Sequence, residues 1–391
     1  MEKMSVKKVG SREIMNGVSQ IKQITLLFLG TTGAGPVYAF EMAKAIADNS
    51  DYQIQIVLSK YVYNLDEWKR AFSESKVRLE FVDTYRRKKL SFALSLFEYW
   101  KVNRILKIIR DFDANVVYSP FSSLWDFRLF PKLSKTMGIV ATLHDPHPHD
   151  EIKNPFVNYI QYKNYKALRY AKDIVVLNQR DVEYVKQNYC KNVWVIPHAS
   201  FSYYARDVQE SDKINHTIGF IGRIEPYKGL DLLVEAFTEI NSCGLHLLIA
   251  GNGTIDSDTL SKINENPKIE LINRYIRDEE FSVLLNRMDF VVLPYKRASQ
   301  SGVIPLVFSH GKTVVVTNVG ALSEQVPAGT GYVVDASSEA LKDAIVDLYE
   351  QPERIHKMGK AALEYANKEL NWTHSAELLM NIIEKSNKLD L

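Results

Sequence analysis

The chain has 391 residues, 46% hydrophobic and 25% charged, the composition of a soluble globular protein too long for one ordinary core. This excludes a disordered, collagen-like or disulfide-scaffold chain, and no apolar run approaches the ~20 residues of a membrane span. The formal charge of +2 hides a division, because residues 1–205 hold 30 Lys and Arg against 20 Asp and Glu while the remainder is net acidic. A basic half joined to an acidic half predicts that one half faces something anionic.

Residues 1–22 are mixed charged and polar, lack the apolar middle of a signal peptide, and read as an extension. Next, Ile24–Leu29 is an unbroken apolar run bounded by glycine, the pattern of a strand buried on both faces. A glycine-rich turn follows, and Val37–Ala47 reads as a helix. The strand pattern recurs at Gln53–Leu58, Val77–Val82, Val116–Tyr118, Ile139–Leu143, Ile174–Leu177 and Val193–Ile196, with helical stretches between most of them. Residues 199–215 are polar and aperiodic, as a linker is. The alternation then restarts at Thr217–Ile221, Leu245–Ala250, Ile269–Ile272, Phe290–Leu293, Thr313–Thr317 and Tyr332–Val334.

Such β-α-β alternation predicts an α/β chain of two Rossmann-like, doubly wound parallel-sheet domains facing a cleft. The expected divisions are an extension over 1–22, a first domain over 23–205, a second over 206–372, and a final helix over 373–391 that packs back on the first domain. Cys190 and Cys243 are far apart without metal-type spacing, which fits a reducing cytoplasm.

Three segments carry chemistry. The first is Leu29–Pro36 (LGTTGAGP), between strand and helix. Gly33, Ala34 and Gly35 would let a ligand approach the backbone at a helix N-terminus, although the spacing is neither the dinucleotide fingerprint nor a Walker loop. A tight turn without a ligand is the plainer alternative. The second is Thr142–Asp150 (TLHDPHPHD) at a strand's carboxyl end. His144, with Asp145, reads as a cleft-lining hydrogen-bonding or proton-handling group, His144 as a catalytic candidate and Asp145, His147 and His149 on the acceptor side. A metal site and a loop of surface histidines remain as alternatives, and the stiffening prolines and lack of nearby cysteine or glutamate weigh against the metal.

The third and most specific is Gly219–Leu230 (GFIGRIEPYKGL). A strand ends at Gly222, Arg223 and Lys228 follow, and Lys228-Gly229 precedes an amphipathic helix over Leu230–Ile240. Two cations at a helix mouth suit a pyrophosphate that gains charge as it leaves. Gly251 and Asn252, in the turn Ala250–Gly253, add backbone amides at another strand end. The carboxylate pairs Asp111/Asp113 and Asp256/Asp258 read as solvated turn or helix-start residues.

With these blocks in order, the chain resembles the nucleotide-sugar glycosyltransferases of the two-Rossmann GT-B type, close to retaining family 4 (glycosyl transferases group 1). The resemblance covers about 24–385 and rests on GRIEPYKGLDLLVEAF (222–237), AGNG (250–253), DFVVLP (289–294) and VTNVGALSEQV (316–326). It implies that the carboxyl-terminal domain holds the nucleotide sugar, with Arg223 and Lys228 on the diphosphate and no metal or other cofactor. The base would lie near Tyr275 and Ile276, Gly33–Pro36 near the donor phosphates, and His144 against the donor sugar. Transfer would be front-face, with retention, the nucleoside diphosphate leaving as the acceptor hydroxyl approaches.

One departure stands out. Between DFVVLP and VTNVGALSE the family has a spaced pair of glutamates, whereas Ala298–Gly311 (ASQSGVIPLVFSHG) holds no acid. The amides of Ser301, Gly302, Val303 and Ile304, opening a helix, could still cradle sugar and phosphates, with Gln300 and Glu324 as candidates for the orphaned hydroxyl contacts.

Residues 86–110 combine Arg86–Lys89 with Phe92, Phe97, Tyr99 and Trp100 and with cations at helical spacing. They suit either an anionic membrane surface or a helix packed on its own sheet. No nucleic-acid recognition module appears. The expectation is a glycosyltransferase acting on a glycan or lipid-linked glycan in cell-surface polysaccharide or glycoconjugate synthesis, cytoplasmic and peripheral on the inner face of the membrane. A catalytically degenerate partner that binds nucleotide or another transferase is the alternative that the missing glutamates motivate, and a sugar-nucleotide epimerase is a third.

Overall fold

The computed structural model describes residues 22–85, 98–146, 155–190, 192–201, 216–241 and 244–388. Nearly all of the amino-terminal extension, residues 86–97 of the basic aromatic stretch, His147 and His149, most of the 199–215 linker, and Cys243 lie outside the described residues.

Seven strands, β1 (Gln23–Phe28), β2 (Gln53–Ser59), β3 (Arg78–Val82), β4 (Val116–Ser119), β5 (Gly138–Leu143), β6 (Asp173–Val176) and β7 (Val193–Val195), form a parallel sheet in the order β3-β2-β1-β4-β5-β6-β7. Six more, β8 (Thr217–Ile221), β9 (His246–Gly251), β10 (Ile269–Asn273), β11 (Phe290–Leu293), β12 (Thr313–Thr317) and β13 (Gly331–Val334), form a second parallel sheet in the order β10-β9-β8-β11-β12-β13. Both orders reverse beside the first strand, between β1 and β4 and between β8 and β11. In open parallel sheets, ligands bind in the crevice at the strand ends where the order reverses.

The first sheet carries α1 (Gly35–Asn49), α2 (Leu65–Ala71), α3 (Tyr99–Asp111), α4 (Asp126–Leu133), α5 (Pro155–Ala167) and α6 (Arg180–Asn188). The second carries α7 (Leu230–Thr238), α8 (Ser257–Glu265), α9 (Glu280–Asn286), α10 (Val303–Ser309), α11 (Ser338–Tyr349) and α12 (Pro352–Glu369). Each sheet is covered on both faces, which is why its central strands, such as β1, β4, β8, β11 and β12, read as apolar runs, while the edge strands β3 and β10 carry charged residues. The last helix, α13 (Trp372–Lys388), returns to the first sheet. Its Trp372, Ala376, Leu379 and Ile383 join Tyr38 and Met42 of α1 in one core. The crossing is pinned where Ser200 N donates to Leu370 O at 2.8 Å and Trp372 Nε1 to Ser200 O at 2.7 Å.

Helix α3 is amphipathic: Val102, Ile105, Leu106 and Ile109 are buried while Tyr99, Trp100, Arg104, Lys107 and Arg110 are exposed. It therefore packs on its own sheet and also shows a basic, aromatic outer side. Asp256 caps α8, accepting from Thr259 N at 3.0 Å. Asp111 ends α3, and Asp113 follows in a left-handed turn with φ 57°.

Candidate functional site

At the end of β8 the chain turns through Gly222 (φ +128°) and a short 3-10 turn, Pro226–Lys228, before α7. Lys228 is 9% exposed; its Nζ donates to Tyr295 Oη at 2.9 Å and sits 4.7 Å from the Tyr295 ring centroid. Among the described residues no carboxylate lies within ion-pair distance of this ammonium. A Cβ at Gly222 would lie 3.5 Å from Lys228 Nζ and 3.5 Å from a Val303 methyl, so the lysine points to the mouth of α10. Arg223 is exposed beside it, 4.0 Å from Glu225.

The Gly222 and Gly251 turns are zipped together, with Gly222 N donating to Ala250 O at 3.0 Å and Ile224 N to Asn252 O at 2.9 Å. Gly251 is a glycine because a Cβ there would fall 1.8 Å from Gly222 O. Asn252 is exposed, as is Tyr275, whereas Ile276 is buried in the core behind it.

Ahead of α10, Tyr295 Oη and Ser301 Oγ are 3.3 Å apart. Gln325 holds Ser301 by both ends, accepting from Ser301 N at 2.7 Å and donating to Ser301 O at 3.0 Å, while Val303 N donates to Ser301 Oγ at 3.3 Å. Two amides of the expected cradle, Ser301 and Val303, are thus engaged within the protein. Gly302 faces His198, and Ile304 is fully buried. The Gln300 side-chain oxygen Oε1 is buried without a hydrogen-bond partner among the described residues. Glu324 reaches across the domain boundary instead, accepting from Gln179 N at 2.8 Å and Arg180 N at 3.3 Å ahead of α6, and Arg180 answers with a bond to Gly320 O at 2.7 Å.

On the facing wall, the turn after β1 leads into α1. Gly33 (φ +86°) and Ala34 are exposed, and Gly35 is packed on Phe28 and Phe121. His144, half-buried after β5, donates from Nε2 to Pro120 O at 3.0 Å, which leaves Nδ1 as an acceptor. Its ring lies 4.4 Å from Tyr38 and 4.1 Å from Phe121 between centroids. Burial pushes its pKa down to about 3, so the imidazole is neutral near pH 7 and offers a lone pair, not a proton. Asp145 crosses the boundary, accepting from Ser299 Oγ at 3.0 Å.

Sequence reasoning missed four residues of this arrangement. His198, buried with Nδ1 donating to Ala199 O at 2.7 Å, packs edge-on against Tyr38, which also meets His144. Tyr295 and Gln325 orient Lys228 and Ser301, and the one available signal for Gln325 is its place directly after Glu324.

A buried carboxyl lies near His144. Burial pushes Asp126 up to about 7, against the opposing effect of Ser123, whose hydroxyl and amide both donate to it. As pH rises from the ordinary 3.8 to about 7, the unfolded chain ionises this group before the folded one does, so its contribution to stability declines over that window. His144 acts oppositely: from 6.5 down to about 3 the unfolded imidazole takes the proton first, and stability declines as pH falls. Asp126→Asn should therefore steepen the rise of stability between roughly pH 4 and 6.5 in urea titrations. An unchanged slope would mean that Asp126 is ionised in the fold.

Residues 215–351 match the family described as Glycosyl transferases group 1. A D-inositol 3-phosphate glycosyltransferase of Corynebacterium efficiens is 28% identical over 182 residues, 43% of this chain and 42% of the relative. A GDP-mannose:glycolipid 4-beta-D-mannosyltransferase of Xanthomonas campestris pv. campestris is 26% identical over 125 residues, 30% of this chain and 36% of the relative. The chain thus spans about two fifths of the length of the curated relatives it matches. Anabaena HepE in complex with UDP-glucose superposes with a TM-score of 0.66 at 15% identity, covering 93% of this chain and 99% of that one. The two parallel sheets therefore have the GT-B fold, and the similarity to the glycosyl transferases group 1 lies in residues 215–351, which build the second sheet and the Gly222–Lys228 turn.

Proposed function

We propose that this protein moves a sugar from a nucleoside-diphosphate sugar to a hydroxyl of a glycan or lipid-linked glycan, with retention and without a metal. The work would belong to cell-surface polysaccharide or glycoconjugate assembly on the inner face of the membrane. The observation that carries the reading is Lys228: a buried ammonium with a tyrosine hydroxyl for company and, among the described residues, no carboxylate in reach calls for an anion. A diphosphate between Lys228, Arg223 and the start of α10 meets that demand. The UDP-glucose bound by Anabaena HepE and the GDP-mannose named for the Xanthomonas relative support a donor of this class.

In this reading Lys228 and Arg223 stabilise charge on the departing diphosphate. His144, neutral, accepts a sugar hydroxyl through Nδ1. Asp145 and Glu324, two carboxylates at the domain boundary, are bound across it, and in this reading the acceptor hydroxyl attacks directly, without a carboxylate nucleophile. Among the described residues no helix is long and apolar enough to cross a membrane, and no group of three His, Cys, Asp or Glu could hold a metal ion.

Thermal unfolding against UDP, GDP, TDP, ADP and CMP tests the donor site. One nucleotide at about 100 times its Kd should add roughly 2.7 kcal/mol, and Arg223→Ala should lose most of that response. If no nucleotide stabilises the protein, the catalytically degenerate reading replaces this one.

A further inference from the structure

Beyond β4 and β5, next to His144, lies a cavity of ≈ 470 Å³ between α4 and α5. Phe121, Leu124, Phe130, Leu143, Ile160 and Leu168 supply its apolar wall, and His144 and Asp145 stand at its edge toward the carboxyl-terminal domain. The polar groups around it are largely spent on one another. Asn164 Nδ2 donates to Ser123 O at 2.9 Å, and its carbonyl accepts from Phe127 N at 3.2 Å. Tyr165 Oη donates to Asp145 O at 3.0 Å, Thr142 Oγ1 pairs with Tyr118 Oη at 2.9 Å, and Asp126 is held by Ser123. What this leaves for a ligand is chiefly hydrocarbon surface.

The outer side of the same helix indicates where such a ligand comes from. Residues 160, 161, 164, 165 and 168 of and after α5 line the cavity. Tyr159 and Tyr162 are 54% and 51% exposed on its outer side, and Tyr170, in the 3-10 turn that follows, is 44% exposed. Lys163 and Lys166 lie over the Tyr159 and Tyr162 rings at 5.3 and 4.4 Å. Helix α3, which packs on α4 as α5 does, exposes Tyr99 and Trp100 with Arg104, Lys107 and Arg110. The described residues 98–146 and 155–172 hold 11 Lys and Arg against 5 Asp and Glu, so this part of the first domain is net basic. Aromatic rings interleaved with cations suit the headgroup region of an anionic bilayer.

We propose that the α4–α5 cavity takes the hydrocarbon part of a lipid-linked acceptor drawn from an anionic membrane surface, placing the acceptor hydroxyl beside His144. This rests on the transferase reading and narrows its acceptor to a lipid. The test is calorimetric titration of the full chain with n-alkyl β-glucosides from butyl to nonyl, below their micellar concentrations. Each added methylene should tighten Kd about fourfold until the cavity is full, the ratio given by ~0.8 kcal/mol per buried methylene. Ser122→Trp at the exposed rim and Ile160→Trp on the wall should flatten the series. A Kd independent of chain length, or a slope unmoved in both variants, overturns the inference. Nucleotide stabilisation, measured separately on the same protein, tells the failures apart: a flat series with an intact nucleotide response sinks the lipid cavity alone. A steep series without any nucleotide response keeps the cavity and removes the transferase.

Discussion

Lys228→Met should lower kcat/KM by about 100- to 1000-fold while the ligand-free protein melts no lower than the wild type. The rate loss follows from the place of the ammonium, under Gly222 and beside the start of α10, where a leaving diphosphate would gain charge. The stability expectation follows from its surroundings. An ammonium that is 9% exposed and held by Tyr295 has given up much of its hydration with no opposing charge in reach among the described residues. Methionine keeps the length of the stem and removes that penalty, so function and stability should move apart. Initial rates with the donor identified by thermal shift, together with the ligand-free melting curve, check both halves. A near wild-type rate rejects the diphosphate site. A large drop in melting temperature at an unchanged rate would make Lys228 a structural residue.

Gly229→Ala should destabilise the carboxyl-terminal domain by about 2–4 kcal/mol, whereas Gly33→Ala, also at positive φ, should cost only about 1 kcal/mol. The comparison separates two penalties that glycine avoids. Gly33 has φ +86° but nothing within 4 Å of the place a Cβ would take, so alanine there meets backbone strain alone. Gly229 has φ +67°, and its Cβ would fall 1.9 Å from Pro294 O, so the β8 and β11 turns must also separate. That separation moves Lys228 and Tyr295 apart, and nucleotide affinity should fall along with the melting temperature. Urea unfolding of the two variants side by side is the check. Equal destabilisation would show that the contact with Pro294 relaxes at little cost.

How much of this is readable in the residues depends on the range of the interaction involved. The central strands β1, β4, β8, β11 and β12 coincide with apolar runs in the chain, because a strand covered on both faces cannot alternate with polar residues, whereas the edge strands β3 and β10 carry Arg78, Glu80, Glu270 and Asn273. Lys228 and Arg223 are legible because their spacing sits on one short turn. Helix α3 presents two readings, a core stripe and an aromatic-basic surface, and the fold uses both, one on each side. The contacts across the domain boundary are not legible. Asp145 with Ser299, and Glu324 with Gln179 and Arg180, join residues more than a hundred positions apart, and no local pattern encodes the meeting. Glu324 looks like a hydroxyl ligand by its neighbourhood in the chain, whereas in the fold its carboxylate caps the helix of the other domain. Tyr38 and His198 hide differently, the first inside an ordinary helical stripe and the second as a lone histidine beside a strand.

The return of α13 to the first sheet has a bearing on how the chain acquires its shape during synthesis. The second sheet with α7–α12 is a continuous stretch of chain and can close its core as soon as that stretch is available. The first sheet cannot: Trp372, Ala376, Leu379 and Ile383 are bricks of its own interior, made only after the whole second sheet and its helices. The earlier-made half therefore waits, with one apolar flank open, until the later half is finished, and the nested unit should be the first to become fully native. Until then the apolar side of α1 around Tyr38 and Met42 lacks the cover that Trp372, Ala376, Leu379 and Ile383 give it in the finished fold.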